Sequence, residues 1–370
     1  MILGSIIITL IYLLLIGSFV FEFDKVKSFI LEGLSAKTTF TIIIPFRNED
    51  ENLPDLLKSI ATLEYPKHLF EIIFVDDDSE DDSVKIIKNS LLNVSIIKNE
   101  RTSNSPKKDA ITSAIKQAKN NWIITTDADC VLPKYWLDSF DEFIQKNNSK
   151  CIVAPVTYSL ENTFLNQFQL LDILSLQGAT IGGFGIQKPF LCNGANFAYQ
   201  KTLFKELNGF EGNTNIASGD DIFLLEKAVK TYPKSIHYLK CEQAIVTTES
   251  QPSFKALISQ RIRWAAKTSA YNNWFGKLTG LIVLLMNTLV IVTLLLSILG
   301  ILNFKICFYI LFIKFNIDFL LIYKSASFFN QKRVLKSYAL GFLIYPVFSV
   351  YVAFISTFKG YKWKDRQFKK

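Results

Sequence analysis

The chain has 370 residues, is 49% hydrophobic and carries a net charge of +8, enough for one sizeable domain plus additional segments. From residue 278 onward there are twelve Lys and Arg against two Asp and Glu, so residues 1–277 stand at −2; this argues against a nucleic-acid surface on the folded domain and for contact with anionic lipid headgroups beside apolar segments. Five cysteines without C-x-x-C spacing argue against a disulfide framework and fit reduced thiols, and two histidines (His68 and His237) argue against a histidine-rich metal site.

In chain order, the first 21 residues carry no charge and are long enough to cross a hydrocarbon core of about 30 Å as a helix. No Lys or Arg precedes them and no small-residue cleavage site comes after, so residues 1–22 read as an uncleaved anchor. Lys25 and Lys27 come next and favour a cytoplasmic side for the adjoining region. Residues 38–250 form a domain-sized polar block. Phe40–Pro45 (FTIIIP), Phe70–Val75 (FEIIFV), Val94–Lys98 and Trp122–Thr126 are short apolar runs of the kind that strands buried on both faces require. Leu53–Thr62, Ser83–Asn89 and Lys108–Lys119 alternate with them and carry helical spacing. Alternation of this kind predicts an α/β fold, a mostly parallel sheet covered by helices.

Farther on, Phe254, Leu257, Ile258, Ile262 and Ala265 share one helix face, so residues 251–277 read as an amphipathic interface element with Trp274 as an anchor. Residues 278–302 and 338–358 are free of charge, and 306–323 carries only Lys314 and Asp318, spaced to pair on one helix face. The region 278–358 therefore holds two or three spans, succeeded by a basic tail over 359–370. A third span puts that tail outside, against the bias of the basic loop Lys324–Lys336; a re-entrant segment broken at Pro346, or a segment 306–323 that does not span, are the alternatives. Gly182–Gly185 (GGFG) reads as a mobile loop near an acceptor or as a plain turn, and His237 as structural.

In such sheets ligands bind beyond the carboxyl ends of the strands. The first strand here runs into PFRNEDE, the second into DDDSEDD and the fourth into DADC. Carboxylates gathered in a low-dielectric cleft repel strongly. A hard divalent cation such as Mg or Mn, facing Asp127 and Asp129 and accompanying a phosphate-bearing substrate, offsets that repulsion. A helix N-terminus decorated with acids accounts for DDDSEDDS equally well, and a lone D-x-D is more often a solvated turn; the position of each group after a buried strand favours the site.

With these motifs in view, the chain resembles the family 2 glycosyltransferases, whose nucleotide-sugar fold is of the GT-A type. The match runs in order through TIIIPFRNEDENL, IIFVDDDSEDDS, SPKKDAITSAI, TTDADC, CNGANFAYQKTLFKELNGF, SGDDIFLL and QRIRW, over about 240 residues. The resemblance implies that Pro45, Phe46 and Glu49 line the base and ribose, that Asp77 contacts the base, and that Lys107 or its neighbour Lys108 approaches the diphosphate. It implies that Asp127 and Asp129 bind ribose and diphosphate through the metal, that Asp221 or Asp220 is the general base, and that Asn196, Gln260, Arg263 and Trp264 serve the acceptor and diphosphate end. The expected function is inverting, metal-dependent sugar transfer from a nucleotide-sugar, UDP by default, to a lipid-linked or membrane-embedded acceptor. The expected location is the cytoplasmic face of a cell inner membrane. A processive polysaccharide synthase, a nucleotidyltransferase, and a transporter or flippase with a nucleotide-binding domain are the alternatives.

Overall fold

The computed structural model describes residues 2–216, 218–267, 270–358, 361–363 and 366–368, and the side chains of the basic tail from residue 359 onward lie outside the described part. In chain order the elements are helix α1 (Ile2–Glu22), strand β1 (Phe40–Phe46), α2 (Leu53–Ala61), β2 (Phe70–Asp76), α3 (Ser83–Asn89), β3 (Ser95–Lys98), α4 (Pro106–Gln117) and β4 (Trp122–Thr125). Next come β5 (Cys130–Val131), α5 (Trp136–Lys146), β6 (Cys151–Val153), β7 (Val156–Tyr158), α6 (Phe164–Gly185), β8 (Phe197–Gln200), α7 (Lys201–Glu206) and α8 (Asp220–Thr231). The chain ends with β9 (Ile236–Tyr238), β10 (Val246–Thr248), α9 (Phe254–Ala266), α10 (Trp274–Ile298), α11 (Phe304–Phe328), α12 (Tyr338–Phe358) and the short pair β11 (Tyr361–Trp363) and β12 (Arg366–Phe368). They fall into two units, one of Met1–Val26, Leu160–Leu191 and Ser250–Lys370, the other of Lys27–Ser159 and Cys192–Glu249.

The second unit is built on a seven-stranded sheet in the order β3-β2-β1-β4-β8-β6-β9, with a small sheet β5-β10-β7 beside it. Strands β3, β2, β1 and β4 are parallel, and β8 runs antiparallel to both β4 and β6. Ile42 pairs with Ile72 on one side and Ile124 on the other. Phe40, Ile42, Ile43 and Ile44 are wholly buried, which accounts for the unbroken apolar run: both faces of β1 are covered. One face packs on α2 and α5 through Leu53, Leu56, Ile60, Trp136 and Phe140; α4 lies against β1 and β2. Each such burial contributes about 2 kcal/mol, so the strands are held firmly up to the point where their carboxyl ends turn polar.

The segment before β1 has no regular structure, yet it is tied to this unit by two buried carboxylates of α5. Glu142 accepts the backbone N–H groups of Glu32, Gly33 and Leu34 at 2.8–2.9 Å, and Asp141 accepts those of Lys37 and Thr38 at 3.1 and 3.0 Å.

The other unit is helical. Among the described residues four of its segments, Ile2–Glu22, Trp274–Ile298, Phe304–Phe328 and Lys332–Phe358, are long and apolar enough to cross a membrane. Helix α6, which the sequence leaves inside the polar block, clusters with this unit. Its glycines explain why: a β-carbon on Gly178 would come within 2.6 Å of Ser325 Oγ, on Gly182 within 2.6 Å of Phe19 Cα, and on Gly185 within 2.1 Å of the Glu22 carbonyl oxygen. Small residues let α6 lie close against α1 and α11, so GGFG is the end of a packed helix and the loop reading is corrected. Lys314 and Asp318 pair at 2.5 Å as their spacing foretells, and the Tyr12 hydroxyl donates to Asp318 at 2.6 Å.

Candidate active site

Two loops succeed β1 and β2, and their polar side chains zip them together. Ser79 Oγ accepts from Asn48 N–H, Asn48 Oδ1 from Glu80 N–H, Ser83 Oγ from Glu49 N–H and Asp81 from Asp50 N–H. Arg47 donates to the carbonyls of Asp77 and Asp78 at 2.7 Å. Within DDDSEDDS, Asp76 accepts the Ser79 N–H and Asp81 those of Asp50 and Ser83, so these two carboxylates hold the loops. Asp77 differs: it is buried, and its Oδ1 accepts from Asn99 Nδ2 and Arg101 Nε, both at 2.7 Å. Asn99 also donates to the carbonyl of Pro106, the residue before Lys107, so the Asp77 cluster continues into α4.

Beyond β4 the chain forms the acid-lined hollow. The Thr125 hydroxyl donates to the Gly194 carbonyl at 2.8 Å and ties the loop of Asn193 to Asn196 against the strand. Lys107, in the first turn of α4, brings its ammonium 2.6 Å from Asp127 Oδ1 and 3.4 Å from Asp220 Oδ2. Helix α8 starts on Gly219, whose φ of 84° favours glycine, and thereby aims Asp220 and Asp221 into the hollow. Asp221 Oδ2 accepts the Gly194 N–H at 3.0 Å. Lys108 turns the other way: its ammonium is bound by the carbonyls of Asn213 and Ile216 and lies over the Phe223 ring, which leaves Lys107 as the lysine of the hollow.

Charge is out of balance here: Asp127, Asp129, Asp220 and Asp221 share one lysine, Lys107, and Glu49 adds its charge beside Asp129. Burial by itself lowers the Lys107 pKa, but Asp127, Asp220 and Asp221 drive it well above its ordinary value, so the ammonium is permanent. Burial, then Asp127 and Glu49, push the Asp129 carboxyl up to about 6, with Lys107 pulling in the opposite direction. Burial and the two aspartates Asp129 and Asp127 raise the Cys130 thiol. The carboxylates of Asp127 and Asp129 are oxygen donors of the kind a hard cation takes. Among the described residues no group of three or more His, Cys, Asp or Glu is arranged to hold an ion unaided, so further ligands would have to come from substrate oxygens.

Two expected site residues belong to the scaffold. Phe46 is buried in the core with Phe40, Ile42 and Ile44, edge-on to Phe74. Asn196 is wholly buried; Trp136 Nε1 donates to its Oδ1, and its Nδ2 donates to the carbonyls of Pro155 and Ala244. Pro45 and Glu49 are half-buried at the end of β1 and in the loop after it. Arg47, Asn99, Arg101 and Gly194 escape the sequence reading; only their places after strand ends, and the glycine inside CNGAN, signal them. Gln260, Arg263 and Trp264 lie on α9 in the helical unit. There the buried Arg261, at an unspecified position of QRIRW, donates from Nε to Asp172 of α6 at 2.7 Å.

A mostly parallel sheet with acids after the carboxyl ends of its strands, and with β8 running antiparallel between β4 and β6, is a fold of the GT-A type. Residues 41–207 match the family described as Glycosyl transferase family 2. The matched stretch runs from β1 to the end of α7, so it is this part of the chain that is similar to glycosyltransferase family 2. The chain is 30% identical over 119 residues to the poly(ribitol-phosphate) beta-N-acetylglucosaminyltransferase TarS of Staphylococcus aureus, covering 32% of this chain and 21% of that protein. It is 24% identical over 267 residues to a poly-beta-1,6-N-acetyl-D-glucosamine synthase of Staphylococcus epidermidis, covering 68% of this chain and 61% of that one. The chain thus spans between a fifth and three fifths of the length of these curated relatives. Its fold is similar to that of a mannosyltransferase from Pyrobaculum calidifontis solved with GDP-mannose and Mn2+, with a TM-score of 0.53, 13% identity, and 96% of this chain and 98% of that chain covered.

Proposed function

We propose that this protein is an inverting glycosyltransferase that moves one sugar from a nucleotide-sugar donor, UDP-linked by default, to a lipid-linked or membrane-embedded acceptor at the cytoplasmic face of the membrane. The observation that carries the reading is the bridge from Lys107 to Asp127 and Asp220, with Asp129 and Asp221 in the same hollow. Asp77, steadied by Asn99 and Arg101, receives the donor base, with Pro45 and Glu49 beside it. Lys107 meets the negative charge of the diphosphate. Asp129 and Asp127 would hold a Mg or Mn ion, which when bound would neutralise charge on the leaving group.

Asp221 is the general base. It is the more exposed of the two acids opening α8, whereas Asp220 is buried and engaged by Lys107. Asp221 takes the proton of the acceptor hydroxyl as that oxygen bonds to the anomeric carbon, and the bond from that carbon to the phosphate oxygen breaks to release the nucleoside diphosphate. A single displacement inverts the anomeric centre. The roles expected of Gln260, Arg263 and Trp264 rest on the motif resemblance alone.

Nucleoside diphosphate release from radiolabelled nucleotide sugars, in the presence of a membrane lipid extract and with or without chelator, tests the proposal. Asp221→Asn is expected to abolish release; unchanged turnover removes Asp221 from the reaction, and release of pyrophosphate points to nucleotidyl transfer. The similarity to a polymer synthase over 68% of the chain supports a second reading, repeated transfer, and product length separates the two.

A further inference from the structure

The motif QRIRW contains a residue that the motif pattern leaves unspecified and that is nonetheless the most buried of the five. Arg261 is 6% exposed and its partner Asp172 is 5% exposed. One planar guanidinium is used in three directions at once. Nε donates to Asp172 Oδ2 at 2.7 Å, Nη1 donates to Gln260 Oε1, and the face stacks 4.2 Å from the centre of the Trp264 ring. Gln260 and Trp264 are therefore not independently placed: each rests on a group that Asp172 fixes from α6.

We propose that Arg261, held by Asp172, is the positioning residue that sets the orientation of Gln260 and Trp264 for sugar transfer. The inference rests on the function proposed above, in which those two residues serve the diphosphate and acceptor. A buried ion pair is a poor source of net stability but a strong constraint on geometry, because moving either partner leaves an uncompensated charge. Only arginine offers a fork and a stacking face together; a lysine keeps the charge but loses both the second donor and the flat surface. Helical spacing contributes as well, since residues 261 and 264 stand one turn apart on the same side of α9.

The test uses the full chain in lipid nanodiscs. Asp172→Asn, Asp172→Glu and Arg261→Lys are compared with wild type for transfer rate, for binding of Mn2+, whose proposed holders Asp127 and Asp129 lie in the other unit, and for the emission of Trp264, with Trp264→Phe as the blank. Asp172→Asn is expected to lower kcat about tenfold to a hundredfold, the range a misplaced group far from the chemistry produces, with Mn2+ binding unchanged and the Trp264 emission shifted. Asp172→Glu is expected to recover most of the rate, and Arg261→Lys to recover little. The proposal is overturned if Asp172→Asn transfers at the wild-type rate, or if its rate falls only in step with thermal stability while Trp264 emission stays put. Should wild type transfer no sugar from any donor, the functional reading fails, and the Trp264 emission still decides whether Arg261 holds that ring.

Discussion

Gly194 lies so close to Asp220 that a β-carbon on the glycine would come within 2.9 Å of the Asp220 Oδ2 and 3.4 Å of the Lys107 ammonium. The glycine has an ordinary backbone conformation, so alanine is tolerated locally and the strain falls on its neighbours. Asp220 is short and buried and has little room to yield. Gly194→Ala is therefore expected to move the Lys107 bridge by a few tenths of an ångström and to reduce kcat about tenfold or more, while the melting midpoint stays near wild type. Steady-state kinetics alongside thermal unfolding checks this; an unchanged kcat would show that the acids do not act through this contact.

Arg101 and Asp77 form the second named contact, Nε to Oδ1 at 2.7 Å. Removing the arginine takes the cationic partner from a buried carboxylate that Asn99 also holds, and weakens whatever Asp77 binds. Arg101→Ala is expected to raise the donor KM about tenfold, as expected for a charged hydrogen bond, and to leave kcat nearly unchanged. Equal losses in kcat and kcat/KM would instead place Arg101 at the transferring bond.

Much of this geometry is legible in the chain and some is not. Strands β1, β2 and β4 announce themselves because burial on both faces leaves few polar positions, and the acids after them mark the edge where ligands bind. Phe46 carries a simple signal for the core that outweighs its motif: it shares the two-residue period of Phe40, Ile42 and Ile44. Asn196 sits in a motif whose neighbours line the hollow, but a single residue's orientation is set by Trp136, Pro155 and Ala244, which come from distant parts of the chain. Helix α6 is invisible as a member of the apolar unit, because its fit against α1 and α11 depends on glycines meeting residues more than a hundred positions away.

Asp138 makes stability depend on pH. Burial, then Asp141, Glu142 and Glu64, push its carboxyl up to about 6, and its Oδ2 is buried without a hydrogen-bond partner among the described residues. The folded state therefore binds the proton more tightly than the unfolded one, whose carboxyl has the ordinary value of 3.8. Stability attributable to this group is present at low pH and declines as pH rises from about 4 to about 6. Asp138→Asn removes the penalty and is expected to stabilise the protein by about 1 kcal/mol at pH 7, with solvent screening taken into account. Near pH 4 the gain is expected to vanish. Melting midpoints of both proteins across that interval provide the check, and a gain that does not change with pH would assign the effect to something other than the carboxyl proton.

The Lys314 and Asp318 pair separates an enzyme from a transporter. Both charges sit on α11, a helix long and apolar enough to cross a membrane, and Lys314 is 1% exposed. The ammonium faces the rings of Tyr12, Phe342 and Tyr345, and Tyr12 donates to the aspartate. Breaking such a pair from one side leaves a buried, uncompensated charge and costs about 3–5 kcal/mol, whereas replacing both partners with apolar groups of similar volume is close to neutral. Lys314→Met alone is therefore expected to lower the yield of folded protein sharply. Lys314→Met combined with Asp318→Leu is expected to recover folding and sugar transfer together, because the pair acts as a structural pin between α1 and α11. If charge at this depth carried a substrate or a proton, the double variant would fold and remain inactive, and that result would favour transport over sugar transfer as the role of the helical unit.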